Sequence, residues 1–213
     1  MCIRDSYNTE SHDANFFGNV VMFTPKYRIT TPEAHGNTET GLVHVVGKSV
    51  IRTAKGEVVH TNDGTYNSRT DNMELNGHST ITSPKQDVEG DNIVYNSSTG
   101  EAEGHGNVKI VDKANNRTII GQDVFYNEKT GHSTARGNVK IDDRRQKRVI
   151  TGDEVIYNAK SGYSEGHGNV KIVDKANNRT IIGQDVFYNE KTGHSNACLL
   201  YTSPSPRDRT RSR

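Results

Sequence analysis

"EGHGNVKIVDKANNRTIIGQDVFYNEKTGHS", residues 103–133, recurs without a change at 165–195. Within it "NVKI" alternates, with Val108 and Ile110 on one side and Lys109 on the other, and "TIIGQDVFYN" concentrates β-branched and aromatic residues. Both are marks of strands. "NEKTG", like "NSSTG" (96–100) and "NAKSG" (158–162), is a short loop ending in glycine, as a hairpin turn with one residue at positive φ requires. "DKANNR" and "DDRRQK" are polar turns between the two strands of a unit. The stretch therefore predicts two antiparallel strands of roughly eight residues and no segment of helical period.

Weaker versions of the unit fill the chain. Tyr-Asn, nine residues, then Gly occurs at Tyr7–Gly18, Tyr66–Gly77, Tyr95–Gly106, Tyr126–Gly137 and Tyr157–Gly168. A degenerate copy runs from Gly36-Asn37 to Gly47, and Tyr188-Asn189 starts another; successive starts step by 29, 30, 29, 31, 31 and 31 residues. A fixed period of this size is the signature of an additive fold. One unit has too few apolar side chains to offset the entropy of ordering it, whereas stacked units bury a continuous core.

Three apolar columns sharpen the picture. Val88, Ile119, Ile150 and Ile181 stand two residues before Gly90, Gly121, Gly152 and Gly183. Ile93, Val124, Val155 and Val186 stand three after those glycines, and the tyrosines five after. An unbroken strand would put two-before and three-after on opposite faces, so a β-bulge at the Gly-Asp or Gly-Gln step is expected to bring all three columns to one face. The competing reading is a strand apolar on both faces, since Val94, Phe125, Ile156 and Phe187 form another column.

The ends stand apart from this pattern. "MCIRDS" (1–6) and "CLLYTSPSPRDRTRSR" (198–213) back-translate to sequences that are reverse complements of each other over the transposase mosaic end. They are expected to be adapter-derived and disordered, leaving 7–197 as one repeat domain of a longer protein. Five of the 27 Lys and Arg and two of the 26 Asp and Glu lie in these ends. That leaves 22 against 24, a net charge of −2, so the basic tail gives no reason to expect a nucleic-acid partner. Cys2 and Cys198 fall there too, and 7–197 holds neither cysteine nor tryptophan, hence no disulfide framework or thiolate site. Within the domain, 165–197 duplicates 103–135 with Thr134 becoming Asn196. This is a 62-residue tandem copy, arisen either in the gene or by a joining error in repetitive DNA.

"GNVKIDDRRQKRVITGDEVIYNAKSGYSEGHGNVKI" (137–172) and "STARGNVKI" (133–141) resemble the OstA-like family, the periplasmic β-jellyroll proteins and domains of lipopolysaccharide transport. The resemblance covers 7–197 and is clearest over 77–197. Residues 20–35 follow the pattern poorly, and the copy at 36–47 lacks its tyrosine. The resemblance implies an all-β fold, a repeat-built antiparallel β-jellyroll or V-shaped trough with about 31 residues and two strands per repeat. It further implies a Gram-negative periplasmic location, lipid A acyl chains as ligand, and edge-strand pairing with other jellyroll transport components. Truncated edges are expected to promote head-to-tail association of copies as well.

On the residues themselves, Ile93, Val108, Ile110, Val124, Tyr126, Val139, Ile141, Val155 and Tyr157 are expected to line one apolar, lipid-binding face, the tyrosine hydroxyls reaching water or headgroups at its rim. His105, His132, His167 and His194 read as solvated turn histidines rather than metal ligands. The four cations of "DDRRQKR" (142–148) read as a solvated hairpin tip, with lipid or glycan phosphate as the other reading. No phosphate loop, calcium β-roll pattern or nucleophile–base–acid set is present, so neither an enzyme nor a cofactor or metal is expected. Two function classes remain: a lipid conduit, which needs a lined and accessible interior, and a structural β-solenoid or adhesin-type surface protein, which closes its core.

Overall fold

Asparagine and glycine set the reversals. At Asn127–Gly131 the Asn127 Oδ1 accepts from Thr130 N at 2.9 Å, Gly131 N donates to Asn127 O at 2.9 Å, and Gly131 sits at φ 70°. A residue with no Cβ adopts that φ without strain. At the other end of the strands Asp112 Oδ1 accepts from Asn115 N at 3.0 Å and Asn116 takes φ 51°. Asparagine is the residue besides glycine that tolerates this region.

The computed structural model describes residues 4–198. Among these it holds no helix and fourteen strands: β1 (Arg4–Tyr7), β2 (Asp13–Phe23), β3 (Tyr27–Asn37), β4 (Leu42–Thr53), β5 (Val58–Asn67), β6 (Asn72–Thr82), β7 (Gln86–Asn96), β8 (Glu101–Asp112), β9 (Arg117–Asn127), β10 (His132–Asp143), β11 (Arg148–Asn158), β12 (Tyr163–Asp174), β13 (Arg179–Asn189) and β14 (Ser195–Cys198). They form one open antiparallel sheet in sequence order, so every connection is a hairpin and the arrangement is repeat-like. The strands run longer than the roughly eight residues expected, most at 11 or 12, because the bulge lies inside each strand.

The expected disorder at the ends is not what the described part shows. Residues 4–6 pair with β2 through Phe17–Asn15, and Cys198 pairs with Asp185 of β13. Residues 1–3 and 199–213 lie outside the described residues. An exposed strand edge offers a row of backbone donors and acceptors that is indifferent to sequence, so an extended segment of any sequence can pair there.

Mid-strand, the register jumps. Gly106 and Asn107 of β8 lie between His105 and Val108 and face Gln122 of β9 alone; Gly137-Asn138 and Gly168-Asn169 do the same against Asp153 and the following strand. The extra residue thus sits on the Gly-Asn strand, not at the Gly-Gln or Gly-Asp step where the sequence pattern put it. Both bulged residues adopt positive φ, 76° at Gly106 and 52° at Asn107, and a Cβ on Gly106 would lie 2.6 Å from Asp91 Oδ2. The consequence for the faces is as expected: Ile119, Val124 and Tyr126 are all buried on one side, with Gln122 and Asp123 both outside.

These bulges form a crease. Arg117 Nη2 and Tyr126 Oη, nine residues apart on β9, lie 3.4 Å from each other. A straight strand would separate their Cα atoms by about 30 Å, more than two side chains can span. β9 therefore doubles back at Gly121–Asp123, and Gly104 on β8 meets Val108 across the same fold, where a Cβ would be 2.7 Å from Val108 Cγ1. The open sheet folds over into two facing layers, the core lies between them from Ile29 to Tyr188, and the two rows of turns come together at the mouth.

Candidate functional site

Alternation within each half-strand points one set of side chains between the layers. All nine residues expected on the apolar face lie there and belong to one cluster: Ile93, Val108, Ile110, Val124, Tyr126, Val139, Ile141, Val155 and Tyr157 are each at most 2 % exposed. Lys109 and Lys140 point outward and are exposed. The interior is filled rather than hollow along this stretch. A cavity of about 280 Å³ occurs instead near Gly36, lined by Phe16, Met22, Tyr27, Leu42 and Val43, where the degenerate unit lacks its tyrosine.

The tyrosine hydroxyls do not reach water. Tyr126 donates to Asp112 Oδ2 at 2.7 Å, Tyr157 to Asp143 at 2.9 Å and Tyr188 to Asp174 at 2.8 Å, all buried. Further toward the N-terminus Tyr95 donates to Glu57 at 3.2 Å and Tyr66 to Asp71 at 3.4 Å. The crease brings Tyr95, Tyr126, Tyr157 and Tyr188 against residues at the opposite end of the strands, whereas Tyr66 meets Asp71 of the adjoining turn. Burial, with the neighbouring Asp71 and Glu57 charges, pushes the Tyr66 phenol up to about 12. Tyr95, Tyr126 and Tyr157 are raised further, burial again the largest cause.

Around these hydroxyls runs a row of alternating acid and base that the sequence reading missed. In Cα register, Gln86 faces Asp112, Asp112 faces Arg117, Arg117 faces Asp143, Asp143 faces Arg148, Arg148 faces Asp174 and Asp174 faces Arg179. Arg117 Nη2 meets Asp112 at 2.8 Å, and its guanidinium lies between the Tyr126 and Tyr157 rings, 5.5 and 5.2 Å from their centroids. Arg148 reaches Asp174 at 3.5 Å and Glu190 at 3.4 Å and stacks 4.8 Å from the Tyr188 centroid. Burial disfavours the Asp112 and Asp174 carboxylates, but bonds from Tyr126 or Tyr188, from Asn115 or Asn177, and the adjacent arginine more than offset it, holding both below the ordinary range. Arg148, one of the four "DDRRQKR" cations, is thus fully buried rather than part of a solvated tip; Arg144, Arg145 and Lys147 remain exposed. The signal available was the Asp-x4-Arg spacing repeated at Asp112, Asp143 and Asp174.

On the outer face the crease carries a second row. His105 lies between Glu103 at 3.4 Å and Asp123 at 2.7 Å, Arg136 meets Glu154 at 2.8 Å, and His167 lies between Glu165 at 3.0 Å and Asp185 at 2.8 Å. His105 and His167 are therefore strand residues beside the bulge, not turn residues; His132 and His194 do flank turns. Hydrogen bonding to Asp123 and Asp185 raises the two imidazoles above their usual value. Among the described residues no group of three or more His, Cys, Asp or Glu is disposed to hold a metal ion, and no helix is long and apolar enough to cross a membrane.

No protein-family model matches the chain, and no curated protein matches it either.

Proposed function

We propose that the chain is part of a non-catalytic periplasmic conduit of lipopolysaccharide transport, an OstA-like β-jellyroll whose interior carries acyl chains toward the outer membrane. The observation that carries this reading is the single apolar interior that continues across successive strand pairs, with the same residue types at each step. A chain of about a dozen carbons buried there gains roughly 10 kcal/mol gross, at ~0.8 per methylene. Little of that depends on directed contacts, so the ligand can pass from one pair to the next without a deep trap. Because the interior is filled, an entering chain has to part the two layers at the mouth. On this reading adjoining jellyrolls, or further copies of this chain, join through the sheet edges.

A photo-crosslinking residue at Val124 or Val155 is expected to capture lipopolysaccharide, and one at Lys109 or Lys140 is not. Equal labelling at both sets would refute the interior route. The second reading, a structural β-solenoid or adhesin-type protein of the cell surface, is favoured by one specific observation: the nine inner residues are each at most 2 % exposed, packed against one another as in a closed core. Absence of labelling at either set favours it.

A further inference from the structure

Arg117 and Arg148 carry more donors than the fold uses. Both are fully buried, yet Arg117 Nε and Nη1 and Arg148 Nε have no hydrogen-bond partner, and neither polar atom of buried Gln86 has one. On Arg117 that is three N–H groups, one on Nε and two on Nη1. Buried donors are almost always satisfied, charged ones above all, because they have given up water. These three residues are not scattered: Gln86, Arg117 and Arg148 stand at 31-residue steps in one inner row, two strands apart. The row lies where the apolar interior ends and the two lines of turns begin, with Tyr126 and Tyr157 on its core side.

We infer that the Arg117–Arg148 row is a headgroup site, taking the phosphate or carboxylate oxyanion of an amphiphile whose chains lie in the interior; the inference rests on the conduit reading. An oxyanion supplies only acceptors, and guanidinium is the side chain best suited to it. Asp112, Asp174 and Glu190 now occupy part of each guanidinium, so the incoming anion competes with them. Asp112 keeps its bonds from Tyr126 and Asn115 when that happens, which leaves it satisfied. The same exchange loosens Arg148 from Glu190, a contact that bridges the two rows of turns, and so couples headgroup capture to opening of the mouth.

Equilibrium dialysis of the full chain against decyl phosphate, decyl glucoside and inorganic phosphate tests this, with Arg117→Met/Arg148→Met and Arg117→Lys/Arg148→Lys as variants. Decyl phosphate should bind about tenfold tighter than decyl glucoside, the difference expected of one or two charge-assisted hydrogen bonds. The preference should vanish in the methionine variant and survive in part in the lysine variant, which keeps the charge. Circular dichroism checks that both variants retain the β signature. Equal binding of the two decyl compounds by the parent chain overturns the headgroup site and leaves the conduit standing. Binding of neither overturns both. Inorganic phosphate binding as tightly as decyl phosphate would make the ligand a free oxyanion and overturn the amphiphile.

Discussion

Asp112→Ala removes one carboxylate on which four hydrogen bonds converge: Arg117 Nη2 at 2.8 Å, Tyr126 Oη at 2.7 Å, Asn115 Nδ2 at 2.7 Å and Asn115 N at 3.0 Å. The arginine left behind is fully buried, with two of its nitrogens already unpartnered. Breaking a buried pair by deleting one partner costs about 3–5 kcal/mol, chiefly the uncompensated charge. Removing both should cost far less, so Asp112→Ala/Arg117→Met is expected to recover about 2–3 kcal/mol of that loss. The Arg136–Glu154 pair on the outer face has an equal 2.8 Å separation but is largely exposed, and Glu154→Ala should cost no more than about 1 kcal/mol. Urea unfolding followed by circular dichroism gives all three values. A single-variant loss below that of Glu154→Ala, or additivity in the Asp112/Arg117 cycle, would refute the buried placement of the row and with it the folded sheet.

The crease makes two glycines behave oppositely. Gly104→Ala drives a Cβ to 2.7 Å from Val108 Cγ1 and should cost about 1–3 kcal/mol, while Gly90→Ala meets only ordinary contacts at 3.5 Å and should be neutral or stabilise by up to about 1 kcal/mol; urea midpoints compare them. Asp112 and Asp174 are depressed in the folded state, so their contribution is present above the unfolded carboxylate value and lost as pH falls through the folded one. Stability should therefore drop below about pH 4, and Asp112→Asn should flatten that part of the pH profile. His105 is shifted the other way: its contribution, small because the ring is exposed, is present below the unfolded value and fades as pH rises through the folded one. Its proton resonance should titrate above 6.5 and move down in Asp123→Asn.

The strands and their inner columns were legible in the sequence because period two and the glycine spacing are local properties. Val88, Ile93 and Tyr95 share the buried face because two successive residues of their own strand, Asp91 and Asn92, lie off it, and that break in alternation is what the glycine spacing announced. Which strand carries the extra residue was not legible, since it depends on Gly106 and Asn107 both accepting positive φ against a single facing residue. The doubling of the sheet was not legible either. Nothing near Tyr126 says that its hydroxyl meets Asp112, fourteen residues back, because the contact arises only when β9 folds at its middle. For the same reason "DDRRQKR" read as one polar turn, although Arg148 is core and Arg145 is solvent. Composition cannot separate two arginines that differ in which side of a hairpin they end.

The filled interior makes the conduit reading most directly testable at the mouth. Lys85 meets Glu128 at 3.0 Å across the two rows of turns, so spin labels at Pro84 and Lys129, with both cysteines replaced by serine, report the separation of the layers. Double electron–electron resonance should give one short distance in the free chain and a second population, longer by about 5–10 Å, on adding lipopolysaccharide; that is the thickness an acyl chain adds between packed layers, which lie about 10 Å apart in face-to-face sheets. Lipopolysaccharide bound with the distance unchanged would contradict the account, because no chain could then lie between the layers.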